Sequence, residues 1–362
     1  MAEALEAARL KLAKQDRTEA NELLLHCSMI TSSALAAAKA DGDPNHFIFE
    51  VGVGPHKRSL SSTFPSSSIK GAIYVDMTTI DTYPGCGSPP TAYGDYNLKA
   101  WSALRGVVEK IGLTVDSTCV AYPSCCSAET RNNAIICTRF LWSMASCGVK
   151  RVLLLEGGLA RWVSEGRPTV SATSPRRGPS DFLRGQAGLH FPLRPELVAT
   201  TAQVASVVAA MTTATATSTS TTLADVRSWR EFVGEAHEYA YHVGLGRIPG
   251  ARWAHWGPST YVGGDLWRTS DDDADEGTLM RDLEDVRALW AAWGIQEPKV
   301  DEHLIFYCGS GWRSAYAWFL SQLLGFSSCS SYDGGMLEYT HLSPMSAELK
   351  VTTGEPTPLP IV

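Results

Sequence analysis

The feature that most constrains this chain is that it repeats itself. "FEVG" (Phe49 to Gly52) is answered by "ADVR" (Ala224 to Arg227), each an apolar strand with an acid near its end. "IKGAIYVDM" (Ile69 to Met77) is answered by "RIPGARWAHW" (Arg247 to Trp256). "FLWSMASCG", closing on Gly148, is answered by "WFLSQLLG", closing on Gly325; glycine is the preferred residue just past a helix end. "LLLEGGLARW" then matches "SSYDGGMLEY". Gly157 follows Gly148 at the same nine-residue interval at which Gly334 follows Gly325. Four echoes in one order predict two copies of a single unit. In each copy short apolar strands alternate with helical stretches. The expected fold class is therefore α/β, two domains, each a parallel sheet flanked by helices.

The expected boundaries are a helical extension over 1–44, a first copy over 45–168, a linker over 169–196, a second copy over 197–345 and a tail over 346–362. The linker carries "GRPTVSATSPRRGPSDFLRGQAG", rich in Pro, Gly and Ser. "MTTATATSTSTT" (Met211 to Thr222) reads as a surface spacer inside the second copy.

At 362 residues the chain is long enough for two ordinary domains. A formal net charge of −7 argues against nucleic acid or an anionic membrane as partner. Nine cysteines, an odd number with no C-x-x-C spacing, argue for free thiols over a disulfide framework or a zinc ribbon. No stretch has the apolar length of a membrane span. The start, "MAEALEAARLKLAKQDRTEANELL", is acidic and lacks the apolar core of a secretory signal. The expected location is the cytoplasm.

The chemistry concentrates in "HLIFYCGSGWRSAYAWFLSQLLG" (His303 to Gly325). An apolar strand ends at Cys308 and a helix starts near Ser314. The loop between holds Gly309, Ser310, Gly311, Trp312 and Arg313. In an open parallel sheet, ligands bind beyond the carboxyl ends of the strands, where this loop belongs. Glycines let the backbone curl so that N–H groups point inward. Inward amides and a helix N-terminus make a positive cradle that favours a thiolate, the nucleophilic form of cysteine.

The cysteine-initiated loop, the "R-I-P-G-A" string, the "D-V-R" strand and the "D-G-G" turn resemble the rhodanese family of sulfurtransferases. The duplicated layout resembles its two-domain members, the thiosulfate and 3-mercaptopyruvate sulfurtransferases, in which the N-terminal copy is usually silent. The resemblance runs from about Asn45 to about Tyr339. It implies Cys308 as nucleophile, and Gly309 through Arg313 as the loop that binds the donor. It implies a persulfide on Cys308, a small-molecule sulfur donor and acceptor, a thiol protein as a further acceptor class, and no cofactor and no metal. Arg313 would pair with the donor's anionic tail and Trp312 would wall the pocket. Cys308 to Arg313 is Cys-x4-Arg, one residue shorter than the Cys-x5-Arg of cysteine phosphatases. The C-G-S-G-W-R loop is similar to a C-G-[ST]-G-W-R subgroup of thiosulfate sulfurtransferases, so thiosulfate is favoured over 3-mercaptopyruvate as donor. A non-enzymatic persulfide carrier or redox sensor is the alternative of another class.

Other candidates have plainer expectations. Asp225 and Arg227 match the family's strand-end acid and base and are expected to be a structural pair near the loop. Arg252 is a candidate substrate-binding cation. Arg247 and His255 are expected at an edge or between the domains. Asp333, Gly334 and Gly335 are expected to form a turn. Pro123 stands where Cys308 stands in the other copy, and the "YPSCCSAETRNNA" loop, with Cys125, Cys126 and Arg131, reads as a degenerate site. "DDDADEGTLMRD" (Asp271 to Asp282) reads as a solvated acidic loop.

Overall fold

The computed structural model describes residues 25–53, 67–82, 95–124, 133–171, 178–184, 189–212, 220–236, 239, 244–256, 266, 280–342, 351–354 and 356. It contains two five-stranded parallel sheets. In the first, β1 (His26–Ile30), β6 (Arg151–Leu155), β5 (Thr118–Pro123), β2 (His46–Gly52) and β4 (Ile73–Asp76) lie side by side in that order. In the second the order is β8 (Val198–Ala199), β12 (Cys329–Tyr332), β11 (His303–Tyr307), β9 (Thr221–Asp225) and β10 (Arg252–Trp253). Each strand of one sheet has its counterpart at the same place in the other, and the sequence echoes fall on matching strands.

The duplication extends to side chains. Tyr122 stands one residue before Pro123, the last residue of its strand, and its hydroxyl accepts the Ile69 N–H at 3.2 Å. Tyr307, one residue before Cys308, accepts the Ile248 N–H at 3.1 Å. Each tyrosine faces the acid of the neighbouring strand, Glu50 for Tyr122 and Asp225 for Tyr307.

Two helices join the halves. α3 (Asn133–Cys147) and α8 (Trp312–Leu323) are buried on almost every side. The sequence explains this, because "AIICTRFLWSMASC" (Arg139 apart) and "AYAWFL" are apolar or small all round, with no face fit for water. They pack against each other, and one hydrophobic core runs from Phe47 and Phe140 in the first half to Phe306 and Phe319 in the second.

Three expected boundaries shift. Residues 26–40 are not an extension: β1 pairs with β6 from His26↔Arg151 to Ile30↔Leu155, and α1 (Ser32–Ala40) follows it. The echo was invisible because the matching β8 has only two residues. The region taken as linker is bound to the first half. Its β7 (Thr169–Val170) pairs antiparallel with β3 (Ser68–Ile69), Ser180 donates to the Leu113 carbonyl, and Phe182 is buried in the core. In the tail, Thr352 bridges to Arg247, and the Gly354 N–H donates to the Val233 carbonyl at 2.7 Å. Residues 1–24, the loop 125–132 with Cys125, Cys126 and Arg131, most of the Thr-rich spacer and most of the acidic 271–282 stretch lie outside the described residues. Among the described residues no helix is long and apolar enough to cross a membrane.

Candidate active site

Cys308 follows β11 directly and is 1% exposed. The loop after it is held from behind. The Cys308 carbonyl accepts the Met336 N–H and the Gly309 carbonyl accepts the Leu337 N–H, both at 2.8 Å. These donors are in the first turn of α9 (Gly335–Leu342), where N–H groups have no partner inside the helix. Gly335 permits the approach: its φ is +55°, and a Cβ there would stand 2.7 Å from the Cys308 carbonyl oxygen. The Gly311 carbonyl is tied back as well, accepting from Ser314 Oγ at 3.0 Å and the Ala315 N–H at 3.2 Å. In a planar trans peptide the carbonyl and the following N–H point opposite ways. Fixing these carbonyls behind the loop therefore turns the N–H groups of Gly309, Ser310 and Trp312 to its front. With the N-terminus of α8, they form an anion-favouring front face.

Arg313 is not an open cation, as the resemblance implied. It is buried and paired with Glu231, with Nη1 to Oε2 at 3.1 Å and Nη2 to Oε1 at 3.3 Å. Glu231 sits in α6 (Trp229–Val233), where it also closes a capping box by accepting the Ser228 N–H at 3.0 Å. The S-x-x-E spacing of Ser228 to Glu231 was the signal that could have located it. Trp256 flanks the guanidinium, 5.8 Å from ring centre to Cζ. The Tyr239 ring lies 4.7 Å from Cζ, and its hydroxyl accepts Arg313 Nε at 3.1 Å.

The Glu231 pair has a pH signature. Burial works against the charged carboxylate, but Arg313 and Arg227 outweigh it and hold Glu231 at about 2, below its ordinary 4.5. A folded-state value below the unfolded one stabilises the fold above about pH 4.5, and that stability is lost as pH falls through about 2. The difference corresponds to about 3 kcal/mol. Glu231→Gln will lose about 3 kcal/mol at neutral pH by leaving Arg313 buried without its counter-charge. Its stability will also fall less than the wild type's on acidification. Urea midpoints from neutral pH down through the acid range check both.

Behind the loop stands a residue of the other half. Arg139, on α3 and fully buried, binds Asp81 through Nε at 3.0 Å and Asp333 through Nη2 at 2.6 Å. Its Nη1 reaches the Gly311 carbonyl at 3.4 Å. Asp333 in turn accepts the Leu98 N–H at 2.8 Å. The D-G-G turn thus supplies an interdomain ligand as well as backbone geometry. Gly311 has φ +81°, and a Cβ there would lie 2.6 Å from the Asp333 carbonyl oxygen. Burial, helped by the Asp333 charge and opposed by Arg139, lifts Asp81 to about 7. Trp312 is half-buried and packs against the core that runs through both halves. Arg139 had a readable sign, a single charge in an otherwise apolar helix.

The remaining candidates are structural in their contacts. Arg227 grips Asp225 through Nε at 3.0 Å and Nη2 at 2.6 Å and also donates to the Gly246 carbonyl at 2.6 Å, below the Tyr307 ring. Arg252 is not brought to the loop: its guanidinium donates to the Gly294 carbonyl beyond α7 (Leu283–Ala291). Arg247 donates to the carbonyls of Phe232 and Gly354. His255 stacks on Trp253 with ring centres 4.4 Å apart. Pro123 closes β5 where Cys308 follows β11, so the first copy has neither a thiol nor an N–H at that point.

Residues 207–342 match the rhodanese-like domain family. The thiosulfate sulfurtransferase YnjE of Escherichia coli is 30% identical over 322 residues, 89% of this chain and 62% of that protein. The crystal structure of YnjE superposes with a TM-score of 0.69 at 26% identity, covering 91% of this chain and 69% of that one. The sulfur carrier protein TtuD of Thermus thermophilus is 28% identical over 65% of this chain and 72% of its own length. The putative thiosulfate sulfurtransferase 1 of Mycobacterium bovis is 30% identical over 60% of this chain and 69% of its own length. The chain thus spans somewhat less than two thirds of the Escherichia coli protein, and more than two thirds of the Mycobacterium protein at the same identity. The likeness first read from one loop and a few strand strings therefore holds at the level of whole domains, and the chain belongs to the rhodanese family, in its two-domain form.

Proposed function

We propose that the protein is a rhodanese-type sulfurtransferase that takes a sulfane sulfur from thiosulfate onto Cys308 and passes it to cyanide or a thiol. The Cys308 thiolate attacks the outer sulfur of thiosulfate. A new S–S bond forms, the bond to the sulfonate sulfur breaks, and its electron pair leaves with sulfite. An acceptor then attacks the outer sulfur of the Cys308 persulfide and the thiolate returns. The observation that carries this reading is the loop held by its carbonyls from α9, which leaves N–H groups to stabilise both the thiolate and the persulfide anion. The names of the Escherichia coli and Mycobacterium relatives support thiosulfate as donor. Cys27, Cys119, Cys137, Cys147, Cys308 and Cys329 are free thiols, which fits a reducing compartment, and we place the protein in the cytoplasm.

The test is kcat/KM for thiosulfate and for 3-mercaptopyruvate side by side, with thiocyanate as product when cyanide accepts. A higher value for thiosulfate is expected. If 3-mercaptopyruvate alone turns over, the donor assignment is wrong. The name of the Thermus relative favours a second reading, a sulfur carrier that a thiol-bearing protein unloads. That reading requires Cys308 to gain one sulfur atom by mass while neither small donor turns over with cyanide.

A further inference from the structure

Two N–H groups beside Cys308 converge on one oxygen, and that oxygen belongs to the protein. The Gly309 N–H donates to the Tyr239 hydroxyl at 2.6 Å and Arg313 Nε donates to the same atom at 3.1 Å. Glu231 takes both Nη groups of Arg313, so Nε is the edge of the guanidinium turned to the loop. The ring is seated closely. A Cβ at position 309 would stand 2.0 Å from the Tyr239 ring and 2.4 Å from its hydroxyl. Gly309 does not have a left-handed backbone, so the Tyr239 ring, not the loop's own torsion, is what requires glycine there.

An oxygen that receives a backbone N–H and a guanidinium N–H occupies a position built for an oxyanion. We propose that Tyr239 is the specificity-determining residue of the donor step: its hydroxyl fills the oxyanion position of the Cys308 loop, and a donor enters by displacing it. A charged sulfonate oxygen is a stronger acceptor than a phenol and wins this exchange. A donor with a neutral head does not. Tyr239 thereby restricts the loop to oxyanion-bearing sulfur donors. This inference rests on the sulfurtransferase reading above and names what competes with the donor.

Tyr239→Phe keeps the ring and removes the competing oxygen. The experiment is calorimetric titration of thiosulfate into Cys308→Ser protein, which cannot accept the sulfur, with and without Tyr239→Phe. Binding about tenfold tighter or more is expected in the double variant, since a hydrogen bond to a charged group is worth about that factor. A gain in affinity cannot come from a damaged loop. Equal or weaker binding overturns the proposal. Mass analysis of wild-type protein after thiosulfate treatment separates the two readings. If affinity rises in the double variant but the wild type gains no sulfur, thiosulfate as donor fails and the role of Tyr239 stands. If the wild type gains sulfur and affinity is unchanged, the role of Tyr239 fails alone.

Discussion

Exchanging Cys308 for serine will end sulfur transfer. A serine hydroxyl is not ionised near neutral pH and cannot hold a sulfane sulfur as a persulfide, so both half-reactions lose their carrier. Thiocyanate formation from thiosulfate and cyanide is expected to drop at least about 10^3-fold, the scale on which loss of a nucleophile is felt. The wild type is expected to gain one sulfur atom by mass after thiosulfate, and the variant none. The substitution replaces one small side chain by another beside a strand end, so the fold will persist and the loss will be chemical. Turnover at the wild-type rate in Cys308→Ser would sink the central assignment.

Arg139→Met will have the largest effect on stability. The change removes the one guanidinium shared by Asp81 and Asp333 and leaves two carboxylates facing each other at the domain junction. Breaking a buried pair by deleting one partner costs about 3–5 kcal/mol. Asp81 already stands at about 7 because burial raises it, and without Arg139 it rises further. A carboxyl group whose folded value lies above its unfolded value stabilises the fold at low pH and loses that contribution as pH rises through the folded value. The deficit of the variant will therefore shrink as pH falls from the mildly alkaline range toward about 7, and level off below it. Urea denaturation from mildly alkaline to mildly acidic pH measures both the size and the trend. Sulfur transfer will fall too, since the Gly311 carbonyl loses a contact that helps set the loop.

What the sequence made legible was whatever is local or repeated. Cys308, its glycines and the helix after them are contiguous, and the strand echoes fixed two parallel sheets and the place of Pro123. Asp225 and Arg227 are two residues apart and could be read as a pair. The loop's partners were not readable this way. Glu231 is 82 residues from Arg313, Tyr239 is 70 from Gly309, and Arg139 is 172 from Gly311. Each meets the loop only because two sheets and the α3–α8 contact bring distant strand ends together. Without those partners, Arg313 looked like a free cation for the donor, and the charge that neutralises it went unseen. Arg252 misled for the opposite reason. Its string matches the family's, but β10 is the edge strand, separated from β11 by β9, and its side chain turns to Gly294.

The helix pair at the domain junction also bears on how the protein is made. A ribosome delivers the first half well before α8 exists, and during that interval the outer side of α3 has nothing apolar to lie against. Chains in that state hold a large bare hydrophobic face, the kind of surface that chaperones bind and that draws partly made chains together. Synthesis of this protein thus includes a waiting period, which ends only when the loop and helix after Cys308 have left the ribosome and can dock.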